Sequence, residues 1–295
     1  MPSLGEINDY WVIGNTIFFI VFGTFGNINI IWSTIRKKEL QSKSGLLLAI
    51  TSAHQIVCLL SAPVCLTIIL LHIKVKRSVC YPMIAPFMSC SSHQAPLVLS
   101  SALDLLFVLL DPVRYRAMRT LPYVIAHCIP GGIYSAFFTV YGWMMMDNDV
   151  LDFCNPVVAP HPVVMSWWVA SNMAINVCIL IAYLTAFVIL KSKAAYSEHR
   201  GVVRRLSVIV MVFVFSWLFA ITGVGISIFF RLPGEILPIV VTDLGFFAML
   251  CYAQNYYVCY WRSSDYRRAF KEQLSWMLCK RSLTKQISSV SVPVS

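Results

Sequence analysis

Seven stretches of the chain are apolar for long enough to cross a bilayer, and the charged residues gather between them. They run approximately from Trp11 to Ile35, Ser44 to Leu71, Tyr81 to Leu110, Pro122 to Met146, Pro162 to Leu190, Leu206 to Phe230 and Ile236 to Tyr260. Roughly 20 apolar residues in a helix span about 30 Å of hydrocarbon. Each stretch is predicted to be a helix, because a helix satisfies its own backbone in lipid and an open strand edge does not. No stretch repeats another and the connections are short, which predicts one domain. Beyond the last stretch, Tyr266, Phe270 and Leu274 recur at four-residue spacing with basic residues between them. That pattern predicts a short amphipathic helix lying on the membrane surface. The expected fold class is therefore an all-α membrane protein, a seven-transmembrane helix bundle with a short amphipathic C-terminal helix.

Charge sets the expected orientation. Of the 23 Lys and Arg residues, Lys74, Lys76, Arg77 and Arg231 fall on one side of the bilayer, and the rest lie in the first, third and fifth connections and the tail. Basic loops stay in the cytosol, so the N-terminus is expected outside. The acidic residues Asp147, Asp149 and Asp152 lie on that outer side, where the trio Lys74, Lys76 and Arg77 runs locally against the rule. The predicted organisation is an extracellular N-terminus (1–10), the seven-transmembrane domain (11–260), an interfacial amphipathic helix (261–278) and a disordered cytosolic tail (279–295), the last rich in Ser and without periodicity. The first apolar run is too long for a cleaved leader and lacks a cleavage site, so it is expected to act as a signal anchor. The expected location is the plasma membrane.

Composition narrows the class. Hydrophobic residues make up 58% of the chain and charged residues 12%, against about 25% charged in an average soluble domain. The net charge of +10 does not point to nucleic acid, because no basic domain stands apart from the apolar runs; a cytosolic face attracted to anionic membrane lipid accounts for it. Most of the 10 Cys lie inside apolar segments, such as Cys58, Cys65, Cys178 and Cys251. Cys80 and Cys154 instead fall at span ends on the outer, oxidising side. Cys279, beyond the surface helix, is a candidate for palmitoylation. His54, His93, His127 and His161 lie on different stretches without metal-ligand spacing. No Ser-His-Asp set or glycine-rich phosphate loop is recognisable, so neither a metal, a cofactor nor catalysis is expected.

Particular spacings say more. Cys80 opens the third span, Asp104 lies near its other end, Pro112 follows, and Cys154 sits between the fourth and fifth. Asn27 follows a glycine in the first span, Trp217 lies in the aromatic run Phe213-Val-Phe215-Ser-Trp217, and Asn255 stands near the end of the seventh. This set resembles the rhodopsin-like G-protein-coupled receptors. The run Asp111-Pro-Val-Arg-Tyr-Arg116 and the block from Asn255 through Phe270 resemble, more narrowly, the nematode serpentine chemoreceptors of the Srsx type. The resemblance covers essentially the whole chain. It implies an external ligand, a heterotrimeric G protein, a Cys80–Cys154 disulfide, and Asn27, Asp104 and Asn255 as parts of an activation switch. It also implies a pocket between the outer halves of the spans, with Phe87, Met88 and Ser91 facing it if the register holds, and with Phe213 and Trp217 at its floor. Asp243 is the one acid expected on the pocket side; the other reading pairs it with Arg231 or Lys74. Each of these residues also has a plainer reading: packing for Trp217, interhelical hydrogen bonding for Asn27 and Asn255, a solvated acid for Asp104.

The departures from the family pattern are specific. Where the family has Asp-Arg-Tyr, this chain has Asp104-Leu105-Leu106. The second span carries Ser52, His54 and Gln55 and no acid. Phe219 stands where the family kinks its sixth span with proline, leaving Gly223 and Gly225 as sources of flexibility. Asn255 is followed by Tyr256, and Cys259 replaces the family tyrosine. Arg114 and Arg116 are the expected substitutes for the missing arginine, one neutralising Asp104 and the other facing the partner, with Arg204 and Arg205 completing a G-protein surface. Phe87 occupies the place of the amine receptors' aspartate, which disfavours an amine ligand. The expected function is a chemosensory receptor for an external small molecule or peptide. The alternatives are a seven-helix protein that no longer couples, or a transporter or channel, for which inverted repeats and broken helices are not evident.

Overall fold

A computed structural model describes residues 4–71, 73–192, 200–230 and 236–277. Seven long helices form the bundle: α1 (Leu4–Arg36), α2 (Lys43–Leu70), α3 (Arg77–Leu110), α5 (Thr120–Met144), α6 (Pro162–Ser192), α7 (Arg200–Phe229) and α8 (Leu237–Arg262). A short helix α4 (Pro112–Ala117) follows α3, and α9 (Ser264–Met277) follows α8. Over the described residues α1, α2, α3, α5 and α6 are each long and apolar enough to cross a membrane. The first helix starts at Leu4, ahead of the apolar run, because helical hydrogen bonding does not stop at the hydrocarbon boundary. A two-stranded antiparallel ribbon was not anticipated: β1 (Val75–Lys76) pairs with β2 (Val150–Leu151).

The burial pattern is that of a chain dissolved in lipid. Ile125, Ile129, Ile133 and Phe137 form an exposed stripe along α5, as Phe18, Phe22 and Trp32 do on α1, while Asn27, Asn29, Ser33 and Thr34 of α1 are buried. Apolar side chains face hydrocarbon at no cost, and polar ones turn inward to find partners. At the centre, α3 packs against α2, α5 and α6; α1 packs on α2 and α8, and α7 on α8.

Glycines stand where helices of the bundle approach closely. A side-chain carbon on Gly26 would lie 2.7 Å from Cβ of Tyr256, so α1 and α8 meet there only because it is absent. At Gly223 an added carbon would lie 2.7 Å from Leu244 Cδ1. The neighbour here is the end of a leucine side chain on α8, and α7 continues as helix past Gly223 and Gly225.

The ends of α1, α2 and α8 are stapled together by α9. Ser263 breaks the helix between α8 and α9 with extended backbone. Tyr266 and Phe270 are then buried with Ile30, Leu40, Leu48 and Tyr256, and burying a side chain such as Phe270 is worth about 1.5–3 kcal/mol. Ion pairs Lys37–Glu272 at 2.5 Å and Arg268–Glu39 at 3.2 Å flank this contact. Cys279 and residues 279–295 lie outside the described residues. Gly26→Leu is expected to lower thermal stability by about 1–3 kcal/mol through overpacking, whereas Gly14→Ala, with open space around it, should be neutral or slightly stabilising. Thermal unfolding of the two variants in detergent checks this; equal stability would contradict the α1–α8 contact.

Candidate ligand cavity and the polar seam beneath it

A cavity of about 180 Å³ opens at the end of the bundle where α1 begins and α2 ends. Its floor is aromatic. Trp168 of α6 and Trp217 of α7 lie 6.2 Å apart at 84°, Trp217 lies 5.9 Å from Tyr252 of α8, and Tyr252 lies 6.1 Å from Phe87 of α3. Offset and edge-on rings of this kind attract one another through their quadrupoles. The Trp168 indole donates to Ser92 Oγ at 2.8 Å, which fixes its orientation. Cys58, Cys65, Met165, Ile221 and Val224 line the walls.

The loop after α5 closes the mouth. Cys154 is bonded to Cys80 at the start of α3, with Cα atoms 5.7 Å apart. Asn155, Pro156 and Val157 follow and line the cavity. Asn155 Oδ1 accepts from the amides of Val157 and Val158 at 2.9 and 3.1 Å, holding this turn. Two of the trio that runs against the charge rule find acidic partners here. Arg77, whose side chain is 7% exposed, pairs with Asp147 and with Asp149 at 3.3 Å, and Lys74 pairs with Asp152 at 2.8 Å. Burial opposes ionisation of Asp147, but the Asp149 amide and the Arg77 guanidinium outweigh it and hold its carboxyl below the usual range. The Asp152 hydrogen bond and charge hold Lys74 above the usual lysine range.

Below the floor, a seam of amides joins three helices. Asn27 Nδ2 donates to the Tyr252 carbonyl at 2.9 Å, and Asn255 Nδ2 donates to Gln55 Oε1 at 2.9 Å. Gln55 Nε2 approaches the Cys251 carbonyl at 3.5 Å. Asn27 Oδ1 and Ser52 Oγ are buried with no partner among the described residues. Further down, Asp104 is 2% exposed and accepts from the Tyr123 hydroxyl at 2.6 Å. Lys43 of α2 donates to the Tyr115 carbonyl and stands 3.9 Å from the Tyr115 ring and 4.8 Å from the Tyr123 ring. Burial and the Asp104 carboxylate push the Tyr115 phenol well above its usual range.

Several sequence expectations require correction. Asp104 is not a solvated acid, and Arg114 does not neutralise it: Arg114 is exposed and lies 3.9 Å from Asp111. Tyrosines reach the carboxylate because their donor sits at the end of a rigid ring, whereas α4 directs Arg114 outward. Arg116 is exposed. Asp243 is exposed and absent from the cavity wall, and Lys74 turns to Asp152 instead. Met88 and Ser91 are fully buried, Ser91 donating to the Met88 carbonyl at 3.3 Å, and they do not reach the cavity. Of the α3 trio, Phe87 alone lines it. The side chains of Phe213, Arg204 and Arg205 lie outside the described residues, as does Arg231.

Sequence reading missed Gln55, Tyr123 and Lys43. It also missed a pair of histidines: His54 Nε2 and His93 Nδ1 lie 2.7 Å apart although they come from different helices. Their other ring nitrogens face the carbonyls of Ile50 at 2.8 Å and Cys128 at 3.1 Å. Each outer nitrogen then carries hydrogen, so the inner contact needs a further proton. The pair holds one positive charge or gives up one carbonyl. Among the described residues no third His, Cys, Asp or Glu joins it to form a metal site.

The sequence profile described as "Serpentine type 7TM GPCR chemoreceptor Srsx" matches residues 20–274. No curated protein matches the chain.

The lowered Asp147 pKa has a signed consequence. Its stabilising contribution is complete above the unfolded value of ~3.9 and is lost as pH falls through the lower folded value. Protection of the loop amides between α5 and α6, taken relative to the intrinsic exchange rate at each pH, should be flat from about pH 7 to 5 and fall only on acidification past ~3.9. Asp147→Asn should remove most of this decline and cost roughly 1 kcal/mol of protection at neutral pH, the pair being partly screened. A wild-type profile already falling between those first two values would contradict the assignment.

Proposed function

The chain belongs to the serpentine Srsx chemoreceptor family, and from that premise we propose that it binds an external small molecule in the cavity between α1, α2, α3, α6, α7 and α8 and signals to a heterotrimeric G protein. Membership makes it a multi-pass membrane chemoreceptor, and the family is not one of enzymes. The observation that carries the finer reading is the cavity itself: a recess floored by Trp217, Trp168 and Tyr252 and closed by a disulfide-tethered turn. Its volume of about 180 Å³ lies below the 300–1,000 Å³ of drug-sized sites, which favours a small ligand over a peptide. The N-terminus stands outside at the plasma membrane and the basic face inside, as the loop charges require. Lipid is the surrounding partner.

On the cytosolic side, the surface offered to a G protein is the exposed segment from Asp111 to Arg119 together with the basic start of α7, including Arg204 and Arg205. Asp104, Asn27 and Asn255 act in the transition between resting and active packings. Asp104 is held by Tyr123 in place of the family arginine, and Arg114 and Arg116 are the basic residues of this segment that meet the partner. Palmitoylation of Cys279 belongs to the same proposal.

A cyclic-nucleotide or calcium readout in transfected cells, challenged with a chemical library, tests it. Trp217→Ala should reduce response amplitude at least tenfold more than surface expression, because a ligand shifts the equilibrium only through differential contacts with the two packings. Arg114→Ala with Arg116→Ala should abolish signalling at normal surface expression. Normal signalling by the double variant would remove the loop surface. A wild type that never signals, beside a Leu105→Arg variant that does, would favour the uncoupled reading.

A further inference from the structure

The polarity of the cavity wall specifies what the cavity takes. None of the described residues lining it is charged. The nearby ions are already engaged with one another at the mouth, Arg77 with Asp147 and Asp149, and Lys74 with Asp152. A charged ligand would therefore leave water without gaining a counter-ion, a loss that an apolar wall does not repay. The volume of about 180 Å³ points to a molecule smaller than a drug-sized ligand.

The polar groups in the wall are unequal. Ser61 donates to the Val57 carbonyl at 2.8 Å and Thr242 to the Ile239 carbonyl at 2.9 Å, and the Asn155 oxygen is occupied by two amides. Asn15 and Thr16, on successive positions of α1, line the cavity and make no hydrogen bond among the described residues. Thr16 does not even bond back to the preceding helical turn, the usual outlet for a threonine hydroxyl in a helix. Hydrogen-bonding capacity facing the cavity is thus left on Asn15 and Thr16 of α1; the Tyr252 hydroxyl also lacks a partner among the described residues but is buried out of reach, and the Asn155 amide nitrogen lies at the mouth.

Resting on the receptor reading above, we propose that the ligand is an uncharged, mostly hydrocarbon molecule with one hydroxyl or carbonyl group, its apolar body on the Trp168–Trp217–Tyr252 floor and its polar group at Asn15 and Thr16. Amines, carboxylates and peptides are excluded by the same wall.

The test is calorimetric titration of the full chain in lipid nanodiscs, with empty-nanodisc heats subtracted, using 1-hexanol, 2-hexanone, toluene, hexanoate and hexylamine at neutral pH. Hexanol and hexanone should bind saturably, and hexanoate and hexylammonium at least about thirtyfold more weakly. Asn15→Leu and Thr16→Val should each weaken hexanol about two- to tenfold, the worth of one net hydrogen bond, and leave toluene unchanged. Thr16→Ser, which keeps the hydroxyl, should restore hexanol affinity. Melting temperatures report whether each variant is folded. A charged congener binding as tightly as hexanol, no binding by any neutral compound, or equal effects of the α1 substitutions on hexanol and toluene would overturn the proposal. Cys65→Phe, which fills the cavity, should abolish binding of the neutral compounds. If it does not, they bind elsewhere and the cavity reading fails, whichever class is preferred.

Discussion

Hydrocarbon offers no hydrogen bonds, so a polar group placed inside this bundle has partners to choose from only on another helix or on its own. That constraint decides most of what the structure does. It sets Asn27 against the Tyr252 carbonyl and Asn255 against Gln55, and so ties α1, α2 and α8 at mid-depth. It sets Asp104 against Tyr123 and brings Lys43 onto the Tyr115 and Tyr123 rings, and so ties α2, α3 and α5 at the end of the bundle opposite the cavity. Hydrogen bonds between membrane helices are individually modest, about 0.6 kcal/mol on average. Their effect lies in direction: each pair fixes the rotation of one helix against another, and changing the pairing changes the rotation.

The cavity and the seam share a residue. The Tyr252 ring forms part of the cavity floor, and its carbonyl receives Asn27. The preceding carbonyl, of Cys251, faces Gln55. A molecule pressing on the Tyr252 and Trp217 rings is therefore one residue's length from the amides that set the register of α8. The unspent oxygens of Asn27 and Ser52 supply alternative partners, which a two-state element needs, since packed cores switch between arrangements rather than deform. In the proposed account this seam carries occupancy of the cavity towards the cytosolic face.

Much of the architecture was legible in the sequence because it follows from hydropathy and charge, which are local sums. The seven stretches, the surface helix at Tyr266 and Phe270, and the cysteines at span ends needed no knowledge of packing. What resisted was pairwise. The role of Gln55 depends on the rotation of α2 against α8, and the meeting of His54 with His93 on that of α2 against α3; neither spacing appears along the chain. Asp243 and Ser91 went astray for the same reason, since a shift of one helical position turns a side chain by about 100°. The family pattern led towards arginine as the partner of Asp104. The tyrosine that takes its place lies across the loop, in α5, where nothing in the Asp104-Leu105-Leu106 triplet points.

Coupling between the cavity and the cytosolic ends is the central claim, and it is measured most directly by electron–electron distance spectroscopy. Spin labels at Leu110→Cys on α3 and Met211→Cys on α7, both on exposed surfaces, would report the separation of these helices in nanodiscs. Saturating 1-hexanol should shift the distance distribution, and Asn255→Leu, which removes the seam contact to Gln55, should suppress the shift while hexanol still binds. An unchanged distribution at proven saturation, or an undiminished shift without Asn255, would contradict the account.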